Sequence, residues 1–310
     1  MNCGFLSYFI KPQQYSMPVN WHEIFQTKGK LAVEIGFGSG EFLVSLAKAQ
    51  KGYNFIGFET SITSLVRIQK RIHSESLRNV RVVLADGRFG LREFFADNSV
   101  DQVYTNFPCP WPKKSHEGKR FTNQGFAETL AAVLTLGGIY QLVTDVQWYA
   151  EQMRDVLLST GSFELLQFNE NNDIVVGTRY ERKWLSEGRK TYTLLVSKVV
   201  HKTVERWTWE DGSMPHVHLN KADMDKLLAL AGMVFKHDKG VFVVKRIYNC
   251  HEGEYLLRMV SNEDGFQQRY FISVEREKDG WLVKLDPDAL AYRTPVVKFS
   301  VKKIAEVIGS

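Results

Sequence analysis

The sequence predicts an α/β protein: a mostly parallel sheet with helices on both faces, followed by a smaller, mainly antiparallel β domain. Three observations carry this. From about residue 31, short apolar runs alternate with segments of helical periodicity, which is the pattern of a parallel sheet. A glycine-rich turn, Gly36-Phe37-Gly38-Ser39-Gly40, follows the first apolar run. After Val199 the texture changes to strand-like runs separated by turn signals.

The elements follow in order. Strands are predicted at 31–35, 54–58, 80–84, 100–105 and 138–144, from their short apolar or β-branched runs. Helices are predicted at 41–50, 61–76, 126–134 and 148–158; Leu65, Ile68 and Ile72 give the second its apolar stripe. Two late strands, 163–168 and 191–199, flank a polar loop. A linker is read at 207–215 and a helix at 221–231. Strands follow at 241–248, 255–260, 270–274 and 281–285, with turns at Asn262-Glu263-Asp264-Gly265 and Lys278-Asp279-Gly280. At 310 residues the chain accommodates two domains. They are placed at 1–204, with an N-terminal arm over 1–30, and at 205–310.

Composition is ordinary for a globular protein, 44% hydrophobic and 24% charged, with a formal net charge of +5. That mild basicity suits a polyanionic partner. Cys3, Cys109 and Cys250 are odd in number and widely spaced, without CxxC or His spacing. This argues against a disulfide framework and against a metal site, and for a reducing compartment. The apolar run 5–10 is too short to span a bilayer and has no cationic segment before it. A cytoplasmic protein with no membrane partner is expected.

Chemistry-bearing residues collect at predicted strand ends, where ligands of such sheets bind. Glu34 closes the first strand, and Gly36, Gly38 and Gly40 follow it. A dinucleotide fingerprint would need glycine at 41, where Glu41 stands. An acidic group at a helix start also repels a pyrophosphate. The loop therefore suits a ligand without phosphates, and Glu34 suits a cationic amino group. A plain glycine turn has the same local sequence. Glu59 ends the second strand, spaced to accept ribose hydroxyls; Asp86 ends the third, where it can accept from an adenine amine. Each alone is an ordinary loop carboxylate. Together they favour S-adenosylmethionine over NAD or a nucleoside triphosphate.

The stretch Asn106-Phe-Pro-Cys-Pro-Trp-Pro-Lys-Lys114 leaves the fourth strand. Its prolines exclude helix interior and central strand, so it is a stiff extended loop. Lys113, Lys114, Lys119 and Arg120, with His116, form the densest basic cluster of the chain. Such a cluster contacts phosphates or is simply solvated; its place beside the strand ends favours the former. Trp111 stacks on a base or packs beneath the loop, and the neighbouring prolines favour packing.

Glu34-Ile-Gly-Phe-Gly, Phe107-Pro-Cys-Pro-Trp-Pro-Lys-Lys, Thr144-Asp145 and Thr178-Arg-Tyr-Glu181 occur in this order. In this the chain resembles the bacterial tRNA (guanine-N7-)-methyltransferases over roughly residues 30–198. The resemblance implies a class I, Rossmann-like methyltransferase fold with a mostly parallel seven-stranded sheet. It implies S-adenosylmethionine as cofactor and the variable-loop guanosine of tRNA, position 46 in tRNA numbering, as target. Glu34, Gly36, Gly38, Gly40, Glu59, Asp86 and Asn106 would hold the cofactor. Lys113, Asp145, Thr178, Arg179, Tyr180 and Glu181 would contact substrate, with Asp145 catalytic.

One departure stands out. The family usually carries Asp, commonly regarded as catalytic, where this chain has Cys109. Guanine N7 is a lone-pair acceptor and needs no base to deprotonate it. The reaction needs alignment and stabilisation of the developing cation, for which Asp145 and Glu181 remain. Cys109 is read as structural or part of the cofactor surroundings. Two alternatives stay open at this stage: an amino-methyltransferase acting on adenine or cytosine of RNA, and a non-catalytic cofactor- and tRNA-binding protein. The C-terminal part nearly balances Lys and Arg against Asp and Glu, so it is no obvious electrostatic anchor. Three roles stay open for it: accessory RNA binding, stabilisation of the catalytic domain and self-association.

Overall fold

The computed structural model describes residues 8–170, 190–209 and 213–310. The chain divides into two compact units, Met1–Glu205 and Arg206–Ser310.

The first unit is built on β1 (Phe9–Ile10), β2 (Lys30–Ile35), β3 (Tyr53–Glu59), β4 (Val80–Leu84), β5 (Val100–Asn106), β6 (Leu134–Thr144), β7 (Phe163–Glu170) and β8 (Tyr192–Lys198). Their order in the sheet is β1-β4-β3-β2-β5-β6-β8-β7. The seven strands β2 to β8 are those the sequence predicts; the arm adds the two-residue β1, parallel to β4 at the edge. All neighbours from β4 to β6 are parallel, and β8 is antiparallel to both β6 and β7. Sheet order reverses between β2 and β5; in open α/β sheets ligands bind at the carboxyl ends of the strands beside such a reversal.

Helices cover both faces. α1 (Trp21–Phe25) lies in the arm, where the Trp21 indole donates to the Phe94 carbonyl at 3.0 Å. α2 (Glu41–Ala49) and α3 (Ile62–Ser74) share one core with Ala32, Phe55, Val80 and Val82. On the other face lies α4 (Gly87–Phe94), where Phe58 packs against Phe94 at 6.0 Å between ring centroids. α5 (Gln124–Val133) packs on α4, and α6 (Gln147–Ser159) on α5. The sequence reading passed over α4 because Gly87 and Gly90 lower its helix propensity. Packing requires both: a Cβ on Gly87 would meet Ile35 at 2.3 Å, and one on Gly90 would meet Phe58 at 2.4 Å.

The second unit carries a six-stranded sheet, each neighbouring pair antiparallel, in the order β10-β11-β12-β13-β14-β9. Its strands are β9 (His216–Leu219), β10 (Val234–His237), β11 (Gly240–His251), β12 (Glu254–Glu263), β13 (Phe266–Glu277) and β14 (Gly280–Leu285). Two helices, α7 (Met224–Ala229) and α8 (Pro295–Gly309), complete it. α8 buries Val297, Val301, Ile304 and Ile308 against Phe242, Leu257 and Ile272. Its start is held by the buried Glu263, which accepts from the Val296 amide at 2.8 Å and from the Thr294 hydroxyl. A carboxylate there satisfies an orphan N–H and complements the helix dipole. The sequence reading did not predict α8, because Val296, Val297 and Val301 read as strand residues. No helix among the described residues is long and apolar enough to cross a membrane.

Candidate active site

Glu34 of β2 and Asn106 of β5 stand on the two strands that flank the reversal of sheet order. The Asn106 amide donates to Glu34 Oε1 at 3.2 Å, and both side chains are buried. Glu34 Oε2 and Asn106 Oδ1 are buried with no hydrogen-bond partner. Burial pushes the Glu34 carboxyl up to about 8; the Asn106 amide opposes this, while the nearby charge of Glu59 adds to it. Unpaired buried polar atoms are costly, which makes these two oxygens candidates for a ligand contact, although the Leu43 backbone also hydrogen-bonds to the Glu34 carboxyl.

The glycine loop adjoins them. Gly36, Gly38 and Gly40 have φ of +77°, +53° and +75°, a region glycine enters without steric cost. Space adds a second constraint at Gly40, where a Cβ would lie 2.4 Å from Ile68. Glu59, at the end of β3, fixes the loop. It accepts from the Gly38 amide at 3.1 Å and from the Thr60 and Ser61 amides at 2.8 and 3.2 Å.

Asp86 caps α4. Its Oδ1 accepts from the amides of Arg88 and Phe89 at 2.8 and 3.3 Å. Its Oδ2 meets the Arg88 guanidinium at 3.3 Å, and Arg88 also donates to the Gly118 carbonyl at 2.7 Å. Asp86 therefore has a structural task that the sequence did not reveal, and Arg88 ties it to the basic loop.

That loop follows Asn106. Phe107 and Trp111 both take positive φ, +49° and +45°. The basic cluster divides in two. Lys113, Lys114 and Lys119 are exposed, with the Lys119 ammonium 4.6 Å from the Trp111 ring centroid. Arg120 is buried and turns inward: it donates to the Trp111 carbonyl at 3.1 and 3.0 Å and lies over the Trp148 ring at 5.1 Å. The sequence grouping of Arg120 with the phosphate-contacting cations is corrected here, because its donors face carbonyls of its own loop. Trp111 is half-buried, in edge contact with His116. Cys109 is an exposed free thiol. Tyr149, whose phenol is held well above its usual range by burial, accepts from the Phe121 amide at 3.2 Å.

Asp145 is half-buried immediately after β6, the strand that pairs with β5. Thr178, Arg179, Tyr180 and Glu181 lie outside the described residues. Among the described residues no cluster of three or more His, Cys, Asp or Glu can hold a metal ion.

A family model described as "Putative methyltransferase" matches residues 28–194. A Thermotoga maritima protein named tRNA (guanine-N(7)-)-methyltransferase is 46% identical over 302 residues, 96% of this chain and 96% of that protein. The chain belongs to the tRNA (guanine-N(7)-)-methyltransferase family. A Coprothermobacter proteolyticus member is 36% identical over 97% of this chain and 93% of its own. A Geobacillus thermodenitrificans member is 34% identical over 59% of this chain, which is 87% of its own length. The family thus contains members that match this chain over nearly its whole length and others that match about three fifths of it.

Proposed function

We propose that this protein transfers a methyl group from S-adenosylmethionine to N7 of a guanosine in tRNA, the variable-loop guanosine at position 46. The observation that carries this reading is the likeness over nearly the whole chain to a relative named for that activity. S-adenosylmethionine supplies an electrophilic methyl group on a sulfonium centre.

The residues present fit that cofactor. The unpaired oxygens of Glu34 and Asn106 can accept from its cationic amino group. Glu59 keeps acceptor capacity for ribose hydroxyls beside the Gly38 amide, and Asp86 Oδ2 for an adenine amine beside Arg88. Asp145, past the end of β6, stabilises positive charge developing on the guanine ring. Lys113, Lys114 and Lys119 meet phosphates, and Thr178, Arg179, Tyr180 and Glu181 complete the substrate contacts. No residue need act as a base, because N7 attacks with a lone pair. A cytoplasmic location accords with a tRNA substrate.

The test is nucleoside analysis of an unmodified tRNA transcript incubated with the protein and S-adenosylmethionine. 7-Methylguanosine is expected, and it should vanish when the variable-loop guanosine is replaced. N6-Methyladenosine or N4-methylcytidine, or no product while the cofactor binds, would overturn the assignment.

A further inference from the structure

The two faces of the second unit's sheet differ. One buries Phe242, Val244, Leu257, Met259, Tyr270 and Ile272 in a core with α7 and α8. Successive strand residues point to opposite faces, so the residues between them form the other face, which neither helix covers. There the register sets Arg246 directly opposite Arg258, and Arg258 opposite Phe271. The neighbouring rung aligns Val243, Val260 and Arg269. On the other side Tyr248, 40% exposed, stands opposite Leu256.

Arg246 and Arg269 are exposed and Arg258 is half-buried. Among the described residues none of the three has a side-chain hydrogen bond or an ion pair. On the same face, by contrast, Lys284 is neutralised by Glu275 at 2.8 Å. Like charges directly opposite each other weaken an antiparallel pair. Two opposed guanidiniums without a carboxylate suit a partner that brings the negative charge itself. Guanidinium forks match phosphate geometry, and exposed aromatic rings accept bases.

We propose that this face is a second tRNA-binding surface, with Arg246, Arg258 and Arg269 on backbone phosphates and Tyr248 and Phe271 offering rings to unpaired bases. The proposal rests on tRNA being the substrate. The near-neutral count of charges in this unit conceals their separation along the sheet: Glu254 and Glu275 pair with each other towards its far end.

The experiment uses the full-length protein and the variant R246Q/R258Q/R269Q. Binding of tRNA is measured across salt concentrations, and S-adenosylhomocysteine binding serves as the check on folding. The variant should bind S-adenosylhomocysteine as wild type does. Its slope of log affinity against log salt should fall by about 0.7–0.9 for each lost phosphate contact, if DNA values carry over to RNA. The charge-conserving variant R246K/R258K/R269K should keep most of the slope. Should the glutamine variant lose S-adenosylhomocysteine binding, the single variants R246Q and R269Q replace it, each expected to remove one contact. An unchanged slope in a folded variant would overturn the proposal. So would loss of binding to phosphatidylserine vesicles with tRNA binding intact. Wild-type protein that fails to bind tRNA would overturn the substrate reading instead, so the two failures are distinguishable.

Discussion

Asn106 donates its side-chain amide to the buried carboxylate of Glu34 at 3.2 Å, across the two strands where sheet order reverses. This pair sets the electrostatics of the proposed cofactor site.

Because burial pushes the Glu34 carboxyl up to about 8, the free protein holds it protonated at neutral pH. A cationic amino group beside it favours the ionised form, so cofactor binding releases a proton below that pH. Affinity should therefore rise with pH by up to about tenfold per unit until near pH 8. Beyond that it should fall, as the ligand's own α-amino group, with an ordinary pKa of about 7.7–8.0, loses its charge. Glu34→Gln should abolish the rising limb. Calorimetric titration across pH measures this, and a parallel rise in the variant would remove Glu34 from the role.

The same group affects stability with a definite sign. Its folded-state pKa lies above the unfolded value, so its contribution is fully present below about pH 4.5 and is lost as pH rises through about 8. In the absence of cofactor, Glu34→Gln should melt higher than wild type above pH 8, by about 2–4 °C for each kcal/mol of destabilisation relieved. Thermal scans at acid and alkaline pH make the comparison.

Asp145→Ala should impair methyl transfer far more than cofactor binding. In the proposed role, loss of its charge would cost on the order of 2–4 kcal/mol in the transition state. Single-turnover rates with saturating S-adenosylmethionine test this, and wild-type turnover in the variant would exclude the role.

Glu59→Ala should weaken S-adenosylmethionine binding roughly ten- to hundredfold, as expected for losing hydrogen bonds to a charged group. Affinity for tRNA should stay nearly intact. The Gly38, Thr60 and Ser61 amides that Glu59 accepts from lose their partner in the variant, so part of the loss should persist with adenosine analogues lacking a 2′-hydroxyl. Equal cofactor affinity in variant and wild type would leave Glu59 a structural loop residue.

The basic loop makes a divided prediction. Lys113→Ala, Lys114→Ala and Lys119→Ala together should flatten the salt dependence of tRNA binding, by about 0.7–0.9 in slope per phosphate contact. Arg120→Ala should leave that slope unchanged and lower the melting temperature, because its guanidinium braces the Trp111 carbonyl. A slope change in the arginine variant alone would reverse the division.

Much of the fold was legible because β2 to β6 are buried runs with plain breaks between them. Of the helices the sequence did not predict, the five-residue α1 is short, and α4 and α8 break local rules for tertiary reasons. α4 keeps two glycines that Ile35 and Phe58 require, and α8 is rich in β-branched residues that its core accepts. The strand ends were legible, and with them the places of Glu34, Glu59 and Asn106 at or beside the ends of β2, β3 and β5 and of Asp86 just past β4. What those side chains bond to was not. The inward turn of Arg120 towards Trp148 and the bare arginine face depend on neighbours distant in sequence, whereas the Asp86 cap is local and was hidden only because α4 itself was. Net charge is silent on such an arrangement, since a sum over a segment carries no information about which side of a sheet each charge occupies.

The loop from Phe107 to Pro112 combines three prolines with two non-glycine residues in the left-handed region. Proline narrows the choices open to the unfolded chain, and positive φ at Phe107 and Trp111 persists only where surroundings over-determine it. The Phe107 amide is held by the Val143 carbonyl at 2.7 Å, and the Trp111 carbonyl by Arg120. The entropy of arranging this segment is thus settled once, when the chain folds, and is not charged again at each encounter with an RNA. An RNA docking here, as proposed, would meet a shape already decided.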